Sequence, residues 1–252
     1  MRSHDQAVHD QFDSKAEAYL HSRAHSEGPD LVRARELVAA LGRPQVQALD
    51  VGCGGGHLSF ALAPLVTRIV ALDPSRHMVD TVAKAAAGRG LPIETRQGGA
   101  ESLPFADSSF ALVATRFSAH HWGRLEAGLQ EMRRVLHPQG RVLVIDVLGH
   151  EDPLVDSHLQ MLELLRDPSH VRNRSASQWR GLLEAGGFPD TLQQQWPLRL
   201  DFASWVARMQ TPASRVSVIR EVQQSAPREV QDALAFEADG SFTVTTGLFW
   251  AG

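Results

Sequence analysis

Apolar positions along the chain follow two alternating rhythms between residues 44 and 147. Residues 46–51 form an apolar-rich run that ends in glycines and predicts a strand. Residues 57–65 predict a short helix, and 67–73 (TRIVALD) a second strand. Within 75–87, Met78, Val79, Val82 and Ala86 make an apolar stripe at helical spacing, with Gly88 expected to end the helix. Residues 93–97 predict a short strand. Residues 110–116 predict a fourth, after a connection rich in Pro, Gly, Asp and Ser. Leu125, Leu129, Met132 and Val135 recur at helical spacing until His137-Pro138-Gln139-Gly140 breaks the pattern. The fifth strand, 141–147 (RVLVIDV), is apolar on both faces.

Strands that read as continuous apolar runs and alternate with helices predict a parallel sheet covered on both sides, with right-handed crossovers. After residue 147 the rhythm changes. Residues 152–166 read as a helix, and Ser175 is placed to cap another that runs to 185 and closes at Gly186-Gly187. Residues 191–200 and 241–251 read as strands. Amphipathic helices over about 202–209, 213–224 and 228–236 lie between them.

Composition narrows the class. The chain has 252 residues, 43% hydrophobic and 21% charged, with a formal charge of −4. That is ordinary for a folded protein and long enough to bury a large core without staples. The mild acidic excess gives no electrostatic reason to bind nucleic acid. Cys53 is the one cysteine, so no internal disulfide can form, which suits a reducing cytoplasm. The polar start MRSHDQAVHDQFDSKAEAY has no apolar leader, and no apolar run is long enough to span a bilayer. One cysteine cannot build a cysteine-based zinc site, and His120 and His121 are adjacent rather than four apart, so no metal is expected.

Candidate chemistry begins at Leu49-Asp50-Val51-Gly52-Cys53-Gly54-Gly55-Gly56, where the first strand meets the first helix. Glycine there permits a tight turn and close approach of a ligand to the backbone. A dinucleotide loop needs G-x-G-x-x-G. The third glycine position falls on His57 in one register and Ser59 in the other, which weighs against a nicotinamide-dependent oxidoreductase. Asp73 ends the second strand about 20 residues further on, where an acid can accept the hydroxyls of a ribose. Pro74 favours an extended Asp73, and the competing role is to cap the next helix.

LDVGCGGGHLSFAL, VALDPSRHMVDTV, GGAESLPFADSSFALVATRF and EMRRVLHPQGRVLVID occur in that order. In that order and spacing they resemble a class I S-adenosylmethionine (SAM) methyltransferase over about 45–147. TRFSAHHW, HEDPLVDSHLQMLELLRDPSHVR and TPASR extend the likeness to the YcgJ/YafE-like branch of bacterial small-molecule methyltransferases. The resemblance implies an α/β fold, a Rossmann-like, mostly parallel sheet of seven strands in the order 3-2-1-4-5-7-6. The last strand, 241–251, would be antiparallel, and a helical cap is expected. It implies a lid over 1–44, a cofactor-binding core over 45–147, and sheet completion with a substrate cap at about 201–240. It implies SAM as cofactor and S-adenosylhomocysteine as product.

Carried onto this chain, the resemblance places Asp50, Gly52 and Gly54 at the methionine part of the cofactor, Asp73 at the ribose and Met78 against adenine. Ala100 and Glu101 fall along the adenine edge, and Arg116 and Phe117 at the strand end whose backbone borders the methionine moiety. Tyr19, Ser22 and His25 match the lid, with Tyr19 able to bond the cofactor carboxylate. Gly99 stands where the family often has an Asp, which removes one contact to the adenine amine. Ala111, His137 and Gln139 depart from the family pattern at structural or surface positions.

His120 and His121 follow the fourth strand, where a neutral imidazole can take a proton from a methyl acceptor; their alternative role is to position the loop. Bringing two reactants into line supplies much of the acceleration of such a transfer even without a base. In Asp167-Pro168-Ser169-His170-Val171-Arg172, His170 and Arg172 are expected to bind substrate, Arg172 by pairing with an acidic group. The expected activity is methyl transfer to an O, N or C nucleophile of a small molecule, for which the wider family suggests a planar ring. The expected protein is a cytoplasmic monomer or homodimer without nucleic-acid or membrane partners. A SAM-binding protein without catalysis is the remaining alternative.

Overall fold

The computed structural model describes residues 3, 4, 6, 8, 11, 28–42 and 46–252; Tyr19, Ser22 and His25 lie outside them. A helix, α1 (Pro29–Ala39), precedes β1 (Gln47–Val51), α2 (His57–Leu62), β2 (Arg68–Asp73), α3 (Arg76–Arg89), β3 (Ile93–Gln97) and β4 (Phe110–Arg116). Then come α4 (Leu125–Val135), β5 (Leu136–Leu148), α5 (Pro153–Arg166), α6 (Ala176–Ala185) and β6 (Leu192–Leu200). Three helices, α7 (Phe202–Met209), α8 (Ala213–Ser225) and α9 (Arg228–Leu234), lead to β7 (Phe242–Ala251).

The seven strands form one sheet in the order β3-β2-β1-β4-β5-β7-β6. The β1–β2, β1–β4, β2–β3 and β4–β5 pairs are parallel, and β7 runs antiparallel to both β5 and β6. This is the class and order expected from the sequence. The reason lies in the apolar runs: Leu49, Val51, Leu72, Val113 and Val144 point to one face, and Ala48, Ile69, Leu112 and Ile145 to the other. The first face packs on α4 and on Trp179 and Leu183 of α6; the second packs on Leu31, Ala34 and Val38 of α1 and Leu58 and Leu62 of α2. Strands buried on both faces need apolar residues at every position.

Two boundaries differ from expectation. Gly88 does not end α3; the helix continues to Arg89, and Gly90 at φ 63° closes it, its N–H donating to Ala86 and Ala87 carbonyls. A glycine inside a helix costs about 1 kcal/mol but does not stop it. The strand β5 also starts earlier, at Leu136 opposite Phe110, and regular pairing resumes at Arg141 opposite Leu112. His137-Pro138-Gln139-Gly140 is thus a bulge within the strand rather than a turn before it. Proline has no N–H for the ladder, so it is accommodated in such a bulge.

The helices after β5 form a separate apolar cluster. Val155, Leu159 and Leu162 of α5 pack with Phe202 and Trp205 of α7, Ile219 of α8 and Val230 of α9. Only α7 of the three inserted helices reaches the large cavity described below; α8 and α9 support it from behind. Among the described residues no helix is long and apolar enough to cross a membrane.

The start of α6 is closed by a capping box: Ser175 Oγ accepts the Gln178 N–H, and the Gln178 side chain accepts the Ser175 N–H. Ser175 Oγ also donates to Glu151 Oε2 at 2.9 Å. Ser175→Ala should lower stability by about 1–2 kcal/mol, read as a lower urea midpoint at unchanged m-value.

Candidate active site

All five parallel strands end at one edge, and a cavity of about 690 Å³ opens there. Its volume is within the range of sites for drug-sized ligands. One end is walled by the 50–58 loop, the end of β2 and residues 99–102. The other is walled by α5, the end of β6 and α7. The loop 116–124 lies between them.

At the first end the glycine loop is bound to β2. The N–H groups of Gly52 and Cys53 donate to the Leu72 carbonyl at 2.8 and 2.9 Å. Asp73 Oδ2 accepts the Gly54 N–H at 2.8 Å, and Oδ1 accepts the Ser75 N–H at 2.9 Å. Ser75, not Asp73, caps α3, through its Oγ and the Met78 N–H. Gly52 has φ 71°, and a Cβ there would stand 1.9 Å from Ser118 Oγ, so no other residue fits. At Gly54 (φ 48°) a Cβ would meet nothing within 4 Å, which leaves a bare backbone face on the cavity.

Asp50 lies beneath this loop. Its Oδ2 accepts the Ser59 hydroxyl at 2.6 Å, while Oδ1 is buried with no partner among the described residues. Burial pushes the Asp50 carboxyl up to about 6, against the pull of the Ser59 bonds and with a further push from Asp73. Burial likewise lifts Asp73 to about 6, opposed by the N–H bonds from Ser75 and Gly54. Burial and the same two carboxylates raise the Cys53 thiol, which stays protonated and unreactive. Met78 and Ala100 are buried in the wall. Glu101 also lines the cavity, and its carboxylate is held by the Arg124 N–H at 2.7 Å and guanidinium at 2.8 Å.

Arg116 and Phe117 end β4 on the cavity wall, Phe117 at φ 52°. That left-handed turn of a non-glycine residue redirects the chain into the short helical turn Ala119–His121. Here the two candidate histidines part company. His120 Nδ1 is 2.6 Å from Asp146 Oδ1, and Asp146 Oδ2 accepts the His120 backbone N–H at 3.1 Å. Bonded so, Nδ1 carries the proton and Nε2 is the basic nitrogen. Burial lowers the basicity of His120, but the Asp146 charge and hydrogen bond outweigh it and raise the pKa. His121 Nδ1 donates to the Ser169 carbonyl at 3.1 Å, and burial with the His120 charge drops it to about 4.

His170 and Arg172 stand outside the cavity wall. His170 donates from Nε2 to Gln160 Oε1 at 2.9 Å and is held neutral by burial and by His120 and His121. Arg172 pairs with Asp156 at 2.7 Å. Their segment acts through its backbone: the Val171 and Arg172 N–H groups both donate to the His120 carbonyl, at 2.9 and 3.2 Å. Asp167, the first residue of that segment, lines the second end; Glu163, Arg166, Leu198, Ser204 and Trp205, which also face it, were not singled out in the sequence. Nor was Asp146, although an acid inside the otherwise apolar RVLVIDV run is the signal that could have found it.

A mostly parallel seven-stranded sheet in this order, with a glycine loop after its first strand, is the α/β architecture of the methyltransferase class. Residues 49–144 match the family model described as "Methyltransferase domain". YafE of Escherichia coli (strain K12) is 48% identical over 76% of this chain and 93% of its own. YcgJ of Bacillus subtilis, described as an uncharacterized methyltransferase, is 35% identical over 88% of this chain and 87% of its own. The crystal structure of the Bacillus YcgJ protein superimposes with a TM-score of 0.81, covering 87% of this chain and 97% of that one at 32% identity. The chain belongs to the YcgJ-like SAM-dependent methyltransferases.

The residues present fit SAM. The bare face at Gly54 is a cradle that any Cβ would fill, and the unpartnered Asp50 Oδ1 awaits a donor. Buried acids suit a ligand that carries a sulfonium and an ammonium.

Asp73→Ala should weaken binding of S-adenosylhomocysteine by about 1.5–3 kcal/mol in calorimetry, as for loss of a hydrogen bond to a charged group. Affinity for SAM should also fall as pH drops below about 6, because its sulfonium and ammonium charges favour ionised Asp50 and Asp73. For the unliganded protein the sign reverses. Both carboxyls are raised above 3.8, so their contribution to stability is lost as pH rises through about 4 to 6. Calorimetric titrations and thermal melts across pH 4–7.5 measure the two effects separately.

Proposed function

We propose that this enzyme methylates an O, N or C nucleophile of a small molecule, and that His120 takes the proton the acceptor loses. The observation that supports this reading is the opening of the His120–Asp146 pair onto the same cavity as the acid-lined glycine loop. SAM supplies an electrophilic methyl on sulfur. Gly52, Gly54, Asp50 and Asp73 bind and orient that cofactor, and the Phe117 turn places the histidine loop between its site and the second chamber.

At His120 the Asp146 carboxylate fixes the Nδ1–H tautomer, leaving Nε2 to accept a proton. Once protonated, His120 shares the buried charge with Asp146. His121 and His170 stay neutral, since a second imidazolium beside the first is disfavoured. Trp205, Leu198 and Leu200 give the acceptor chamber apolar walls, which suit a planar ring. His4 and Val8 also line the cavity, and His4 Nε2 is 2.9 Å from the His121 carbonyl, in keeping with a lid role for the N-terminal segment. On this reading, 45–147 holds the cofactor, and 148–252 completes the sheet and shapes the acceptor end. The free buried thiol of Cys53 suits a reducing cytoplasm, and the protein is read as a monomer or homodimer there.

Labelled SAM incubated with enzyme and a metabolite extract should yield a labelled small molecule by mass spectrometry. No turnover, with intact cofactor binding, would instead favour a SAM-binding protein without catalysis. With the acceptor in hand, His120→Gln should lower kcat by about 10²–10⁴ while leaving S-adenosylhomocysteine affinity unchanged. His121→Gln should cost far less, and equal losses would reject His120 as the base.

A further inference from the structure

The side chains of His170 and Arg172 are taken up by α5, but that of the next residue is not. Asn173 is 2% exposed and belongs to the cavity wall, at the end shaped by α5 and α7. Its main chain is fully engaged. Gln160 Oε1 accepts the Asn173 N–H at 3.0 Å, and Gln160 Nε2 donates to the Asn173 carbonyl at 2.8 Å. Gly149, the residue after β5, fits against that carbonyl, where a Cβ would stand 2.6 Å away. The Gly149 N–H donates to the Arg174 carbonyl at 3.0 Å. The stretch 171–174 therefore runs from the His120 carbonyl, which takes the Val171 and Arg172 N–H groups, to the end of β5. That path sets Asn173 beside the histidine loop.

The side chain is treated differently from the backbone. Asn173 Nδ2 is buried and has no hydrogen-bond partner among the described residues. A buried amide donor left unpaired is costly, and most such groups find a partner. An apolar side chain of similar size would carry no such cost, so the fold itself gives no reason for an amide here. Gln160 fixes both backbone groups, while χ2 of an asparagine is a soft torsion, so the amide is able to turn toward an occupant of the chamber.

The surrounding groups narrow what that occupant presents. An amide N–H is a neutral donor that needs a lone pair. A carboxylate entering this end would need a cation of its own, and it would face the Glu163 and Asp167 carboxylates in the same wall. The arginines there are occupied. Arg166 is bound to Glu163 and the Trp205 carbonyl, Arg199 is paired with Glu237, and Arg208 also has a partner. A neutral oxygen, carbonyl or hydroxyl, matches the open donor.

We propose that Asn173 binds the methyl acceptor, its Nδ2–H donating to a carbonyl or hydroxyl oxygen beside the atom that receives the methyl. The acceptor is then an oxygen-bearing small molecule, oriented by one neutral hydrogen bond between the apolar walls. The inference rests on the methyl transfer proposed above and names the acceptor class of that site. It does not depend on His120 acting as the base.

The test begins with labelled SAM and a metabolite extract, from which the labelled product identifies the acceptor. That acceptor should hold an oxygen other than any that carries the new methyl. Wild-type kcat/KM for it should exceed that for the analogue lacking this oxygen by roughly ten- to a hundredfold. Asn173→Leu should abolish the difference by lowering kcat/KM for the acceptor alone, with S-adenosylhomocysteine affinity unchanged in calorimetry. If the leucine variant does not fold, Asn173→Ala removes the amide without adding bulk and should give the same result. The assignment is overturned if the acceptor has no such oxygen, or if the wild-type enzyme does not discriminate against the analogue. It is overturned equally if the folded variant keeps the wild-type discrimination or loses activity on both compounds alike. A wild-type enzyme that binds S-adenosylhomocysteine but labels nothing rejects the proposed methyl transfer itself, and this assignment falls with it.

Discussion

The Asp73 carboxylate joins three parts of the molecule. One oxygen takes the Gly54 N–H and the other the Ser75 N–H. The first bond draws the loop after β1 against β2, and the second sets the entry to α3. Each is a hydrogen bond to a buried acid, where low dielectric makes the interaction strong and an unmade bond expensive. Burial still lifts the acid to about 6, so it gives up part of its ionisation to stay there.

Charge is placed economically over the rest of the cavity. Asp50 and Asp73 keep one end anionic, and Arg116 with Asp30 adds a fixed cation where β4 ends. At the centre, three imidazoles lie close together, with ring centroids 4.2 Å apart for His120 and His121 and 5.7 Å for His120 and His170. His120 is bonded to the Asp146 carboxylate, and the others are made less basic by burial and by that neighbour. Similar residues are thus given different protonation states by their contacts alone.

Much of the fold was legible in the chain. The strands over 46–51, 67–73, 93–97 and 110–116 are visible as short apolar runs because both faces of the sheet are covered. Ser175 was readable as a cap because its side chain bonds within its own turn. The boundary at Gly88 was not, because a glycine stops a helix only where the chain can turn left-handed, as it does at Gly90. Of the site, the residues next to the strand ends were legible: Asp50, Gly52, Gly54, Asp73 and His120 all line the cavity. His170 and Arg172 read as substrate-binding groups, whereas Gln160 and Asp156 of α5 bond them in the fold.

By itself the sequence determined the sheet, the glycine loop and the position of the acids, because strand periodicity, turn chemistry and loop length are local. The tertiary structure alone decided which histidine is basic and which arginine is buried beside the cofactor site. Those outcomes depend on partners far along the chain: Asp146, 26 residues beyond His120, and Asp30, 86 before Arg116. A proton affinity or an ion pair is set by what the fold brings within a few ångströms, and spacing in the sequence carries no record of that distance.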